Sequence, residues 1–185
     1  EWIDKQDTQH PFTGFLTYTL PHAELAQPED SIVENYQKKF FNDKTWGGWE
    51  DSRYNSVVHT HAQFAGMITR LDQYVGEIFT KLKEKGLDKN TIVIFTSDNG
   101  PHEEGGADPD FFNGNGIYRG HKRDLYEGGI RVPFIAVWPG SIAQGKETPF
   151  MCSFWDMMPT FAQITGQKTK EGDGLSILPT LTGKG

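Results

Sequence analysis

Two neighbouring clusters in this 185-residue chain carry side chains able to do chemistry. The first is Ser97-Asp98-Asn99-Gly100. A carboxylate beside a carboxamide offers hard oxygen ligands suited to Ca²⁺, with Mg²⁺ a second choice. Taken alone, the triplet Asp-Asn-Gly is more often a plain Asx turn closing a strand. The second cluster is the polar, glycine-rich stretch that follows, with His102, Arg119, His121, Lys122 and Arg123. Cations gathered beside a set of oxygen ligands describe an anion pocket. A further candidate stands far upstream, His22 after Leu20-Pro21, and on its own such a residue is more often an ordinary loop histidine.

These residues need elements to position them. Ile92-Val93-Ile94-Phe95 is short, apolar and β-branched, which reads as a buried strand ending just before Asp98. Phe134 to Trp138 reads as a second strand and Phe12 to Thr19 as a third, with His22 beyond its end. In an open α/β sheet, ligands sit outside the carboxyl ends of the strands, where Asp98, Asn99 and His22 would then stand. From His61 to Lys85, Phe64, Met67, Ile68, Leu71, Tyr74, Val75, Ile78, Phe79 and Leu82 recur at three- and four-residue spacing. That is a helix with one wide apolar face, closed by Gly86. A shorter helix follows Asp30 or Ser31 as N-cap, and another follows Asp156 and ends at Gly166. The stretch 44–56, with Trp46, Trp49 and Tyr54, reads as an ordered loop. Glu103, Glu104, Asp108 and Asp110 do not follow an EF-hand spacing and read as a solvated acidic loop. Helix and strand alternate, so the fold class is α/β with a mostly parallel central sheet flanked by helices.

The long block from Thr91 to Gly140, with Phe95-Thr96-Ser97-Asp98-Asn99-Gly100, Tyr126-Glu127-Gly128-Gly129 and Trp138-Pro139-Gly140, resembles the sulfatases of the alkaline-phosphatase superfamily. The resemblance implies that Asp98 and Asn99 are metal ligands and that Lys122 holds the sulfate ester. It also implies that His22 is the active-site histidine at the ester oxygen. His102, Arg119 and His121 are its weaker candidates for contacting the rest of the substrate. The tail, Asp173-Gly174-Leu175-Ser176-Ile177-Leu178-Pro179, resembles the segment that follows the last helix in that family. The resemblance runs over nearly the whole chain but matches only the later part of the family's catalytic domain. Residues 1–185 therefore read as a C-terminal portion of it.

The family's nucleophile is a formylglycine made from the Cys or Ser of a Cys/Ser-x-Pro-x-Arg motif. Cys152 lies in no such motif, so that nucleophile is expected upstream of this chain, together with the remaining metal aspartates. The implied reaction is hydrolysis of an aryl or carbohydrate sulfate ester, with the chain alone inactive. A phosphoric or phosphonic ester hydrolase of the same superfamily and a non-catalytic anion- or glycan-binding piece are the alternatives. The implied compartment is periplasmic, secreted or lysosomal.

Composition narrows the partners. A net charge of −7 gives no support for nucleic acid or an anionic membrane. No apolar run approaches the ~20 residues a membrane-spanning helix needs. The single cysteine excludes an internal disulfide. The oligomeric state is not legible.

Overall fold

The computed structural model describes residues 1–48, 54–169 and 172–184. Trp49, part of the expected aromatic loop, lies outside them. The chain divides into two compact units: residues 1–85 with 96–133, and residues 86–95 with 134–185.

In the first unit two helices pack together, α1 (Ser31–Lys39) and α2 (Thr60–Glu84). The α1 cap is the one the sequence predicts: the Asp30 carboxylate accepts from the backbone N–H groups of Ile32 and Val33. Gly66 lets the helices approach closely, because a Cβ there would sit 3.3 Å from Val33 Cγ2. Helix α2 is capped from a distance. Asp43, far away in sequence, accepts from the N–H groups of His61 and Ala62 at 3.1 and 2.8 Å. Leu25, Val57 and Met67 form the core here, with Leu20, Trp46, Phe64 and Ala107 packed around it. The apolar face of α2 is buried at Met67 and Leu82, whereas Ile68 and Tyr74 stay exposed.

The expected strand over 12–19 is not formed. That segment has no regular structure, and Phe15 is 90% exposed. A strand needs a neighbour to take its N–H and C=O groups, and among the described residues nothing pairs with this one. His22 instead sits in a turn, its N–H bonded to the Thr19 carbonyl at 2.7 Å. The peptide bonds Leu20–Pro21 and Ala23–Glu24 are cis.

The second unit holds most of the two-stranded sheet formed by β1 (Val93–Thr96) and β2 (Phe134–Val137). Both expected strands are present, and among the described residues the sheet extends no further. Helix α3 (Met157–Thr165) ends at Gly166, whose φ of +67° is the left-handed conformation the sequence assigns to it. Asp156 is not its side-chain cap. The carboxylate turns back to accept from the N–H groups of Ser153 and Leu175, both at 2.8 Å. That bond pins the tail beneath the helix start, and Gly174 permits it, since a Cβ there would lie 2.0 Å from the Trp155 carbonyl oxygen.

Candidate functional site

All the predicted site residues belong to the first unit. The segment from Asn99 to Pro101 lies against the stretch from Arg119 to Gly129. Gly100 N–H donates to the Gly129 carbonyl at 3.0 Å, and Lys122 N–H donates to the Pro101 carbonyl at 2.7 Å. Residue 100 has to be glycine, because a Cβ would sit 1.9 Å from the Gly128 carbonyl oxygen. Lys122 rides on a turn closed by Asp124, whose carboxylate accepts from His121 N–H at 2.9 Å while its own N–H donates to the His121 carbonyl at 2.9 Å.

From that turn the Lys122 side chain reaches residue 22. Its Nζ lies 3.0 Å from His22 Nε2, across one hundred residues of sequence. An ammonium only donates, so Nε2 is the acceptor. The other ring nitrogen, Nδ1, lies 3.0 Å from the Ala23 carbonyl oxygen, an acceptor, and therefore carries the proton. These two contacts fix the imidazole tautomer and leave Nε2 as the site where a proton can be exchanged. His102 stacks on the same ring, with centroids 5.2 Å apart and planes 21° from parallel. It is 7% exposed. Its Nε2–H donates to the Pro21 carbonyl at 3.1 Å. Burial holds its pKa below the ordinary histidine value, even though the Pro21 bond and the Glu104 charge pull the other way.

Behind this group lies a carboxylate expected to be solvated. Glu104 is 3% exposed. Its Oε1 is 3.7 Å from Lys122 Nζ and pairs with the Arg123 guanidinium. Its Oε2 is 3.0 Å from His102 Nδ1, within ion-pair distance but not aligned as a hydrogen bond. Burial raises its pKa. That rise is outweighed by its own backbone N–H and by the charges of Lys122, His102 and Arg123, so it stays an anion below the ordinary Glu range. Two glycines let the carboxylate come so close. A Cβ on Gly105 would lie 2.6 Å from the Ala23 Cβ, and one on Gly106 would lie 2.6 Å from the Trp46 Cβ. The sequence signal was therefore the glycine pair immediately after the acid.

Asp108 also departs from the solvated reading. It pairs with Lys44 and with His61 Nε2, the latter at 3.1 Å. Glu103 and Asp110 do remain exposed, at 71% and 86% of the side chain, on either side of His121. Arg119 lies over the Tyr126 ring at 3.9 Å. Thus His22, Lys122 and His102 share one cluster, while the side-chain contacts of Arg119 and His121 lie elsewhere.

Asp98 is exposed and its carboxylate has no ion pair or hydrogen bond among the described residues. Asn99 Nδ2 donates to the Gly100 carbonyl at 2.8 Å, which leaves Oδ1 without a hydrogen-bond partner among the described residues. Three unspent oxygens from these two side chains suit a hard divalent cation. They are too few to hold one alone, and no group of three or more His, Cys, Asp or Glu side chains fit for a metal occurs among the described residues.

Known sulfatases resemble this chain over most of its length. The Sulfatase family profile matches residues 1–167. Human steryl-sulfatase is 32% identical over 185 residues, covering 97% of this chain and 28% of the relative. The crystal structure of Ps i-CgsB in complex with k-i-k-neocarrahexaose superposes with a TM-score of 0.67 at 28% identity, covering 89% of this chain and 32% of that one. The phosphonate monoester hydrolase SpPMH from Silicibacter pomeroyi superposes at 0.52 with 26% identity, covering 69% of this chain and 23% of the other. The chain thus spans roughly a quarter to a third of the proteins it matches.

Proposed function

Since the chain belongs to the sulfatase family, we propose that it is the C-terminal portion of the catalytic domain of a sulfuric-ester hydrolase. The observation that carries this reading is the 3.0 Å contact between Lys122 Nζ and His22 Nε2. One is a partly buried turn histidine and the other a lysine at a turn one hundred residues away. Their meeting puts a cation beside a ring nitrogen that can exchange a proton.

In this reading the Lys122 ammonium neutralises the non-bridging oxygens of the ester as charge moves toward the leaving group. His22, protonated from solvent at Nε2, bonds the ester oxygen and gives it that proton as the alcohol leaves, while Lys122 stays an ammonium. Asp98 and Asn99 Oδ1 hold part of a Ca²⁺ or Mg²⁺ site. Bound there, the cation would supply Lewis-acid stabilisation of the anion. A formylglycine nucleophile and further metal ligands come from outside residues 1–185. Around this site the complete protein builds the mostly parallel sheet of an alkaline-phosphatase-like fold. The substrate is an aryl or carbohydrate sulfate, in keeping with the sulfatases and the carrageenan-oligosaccharide complex among its likenesses.

The likeness to a phosphonate monoester hydrolase favours one second reading, a phosphorus-ester hydrolase using the same residues. The full-length protein assayed on a chromogenic aryl sulfate and on a chromogenic aryl phosphonate monoester separates the two. Faster turnover of the sulfate is expected, and preference for the phosphonate would replace the first reading with the second. Residues 1–185 alone are expected to turn over neither ester. They are also expected to bind Ca²⁺ more weakly than micromolar in isothermal titration, because the oxygens of two side chains fall well short of the ~6 to 8 that Ca²⁺ takes.

A further inference from the structure

Among the described residues, Glu104 is a nearly buried carboxylate that the mechanism above does not use. Its environment is unusual: 3% exposed, with neither oxygen hydrogen-bonded to any side chain. Burying a charge is unfavourable unless something compensates it. Here the compensation comes from its own backbone N–H and from two cations, Lys122 and Arg123, with the edge of His102 on the other oxygen. No other titratable side chain faces it among the described residues. His22 stands one ring further out, stacked on His102 and bonded to Lys122.

We propose that Glu104 is a positioning residue for Lys122 and His22, a fixed countercharge that keeps the lysine tip beside Nε2 of the histidine. This rests on the functional reading of that pair. A flexible four-carbon ammonium has no preferred direction of its own. The buried anion at 3.7 Å supplies one, while the same amine lies 3.0 Å from His22 Nε2. Arg123 pairs with the same Glu104 oxygen. Its backbone, at φ +80°, turns the chain directly after Lys122. His102 links the two halves. Held by Pro21 on one side and faced by Glu104 on the other, it forms the floor on which the His22 ring lies.

The charge, rather than the shape, is what the proposal requires. In the full-length protein, Glu104→Gln keeps the volume and removes the charge. Without that charge the ammonium loses the partner that directs it, so kcat on an aryl sulfate should fall roughly 10- to 100-fold with KM changing less, the range usual for partners that orient a site from behind. Glu104→Asp, which restores the charge, should recover most of kcat even if it packs less well. A Glu104→Asp variant as slow as Glu104→Gln would assign Glu104 a packing role and overturn the proposal. If the wild-type protein turns over no sulfate ester, the functional reading fails, and the ¹⁵N shifts of the His22 ring decide the present one. Wild type should show Nδ1 protonated and Nε2 as acceptor. Glu104→Gln should blur this into a mixture of tautomers, and an unchanged signature would overturn the proposal.

Discussion

His22 and His61 lie in the same unit, and each has both ring nitrogens engaged, but their partners differ in kind. Around His61 they are fixed anions. Asp43 Oδ1 lies 2.8 Å from Nδ1, and Asp108 Oδ2 lies 3.1 Å from Nε2. Asp43 is fully buried and is further tied to the N–H groups at the start of α2. The ring is stacked on Phe111 with centroids 3.7 Å apart. No lone pair or proton is left for a ligand, so this histidine ties the acidic loop to the helix. Around His22 one partner is a backbone carbonyl and the other the tip of a lysine. A lysine tip can move aside and a backbone carbonyl cannot. The contrast teaches that a histidine becomes available for chemistry through the mobility of one partner, not through a lack of partners.

The contrast can be broken at several points. The largest expected effect is Lys122→Ala in the full-length protein. It should lower kcat/KM on an aryl sulfate by ~10³, the scale of losing one preorganised donor to a developing anion, with the melting temperature almost unmoved. An unchanged rate would remove Lys122 from the site. Next comes His61→Asn, which leaves Asp43 and Asp108 without their shared bridge. Chemical denaturation should show a loss of about 3 kcal/mol, in the range for breaking a buried ion pair.

A smaller effect concerns pH. Burial pushes the Asp108 carboxyl upward, but the bonds from Lys44, Phe111 N–H and His61 prevail and hold it well below the usual carboxylate range. A pKa lowered by folding contributes stability that is present above the unfolded value of about 3.9. That contribution is lost as pH falls toward the folded value. Asp108→Asn should therefore be less stable than wild type at pH 7 and should lose less on acidification below about pH 4. Parallel denaturation curves at the two pH values would check this. The smallest effect is at the exposed pair of His10 and Asp7, 84% and 53% exposed, where His10→Ala should leave the melting temperature unchanged.

The parts of the chain that were legible in sequence are those set by local rules. Helix α2 follows from its apolar spacing, α1 from the Asp30 cap, and the end of α3 from Gly166. The two strands were legible because each apolar run is bounded by turn residues. What failed depended on distant partners. Residues 12–19 have the composition of a strand, but composition does not supply a neighbouring strand. Glu104 and Asp108 look like solvated acids until Gly105 and Gly106 bring their loop down onto Ala23 and Trp46. Asp43 carries no local mark of its role, because it caps a helix that starts seventeen residues later. In the candidate site, the pairing of His22 with Lys122 came from a family resemblance and not from spacing.

The central claim, that His22 works and His61 holds, is tested most directly by making His22→Asn and His61→Asn in the full-length protein and measuring kcat/KM and melting temperature for both. His22→Asn should lose ~10²-fold or more in kcat/KM, as expected for removing a general acid, and keep its melting temperature. His61→Asn should melt several degrees lower and, below that temperature, retain most of its activity. The reverse pattern, a stable but inactive His61→Asn beside an active His22→Asn, would contradict the account.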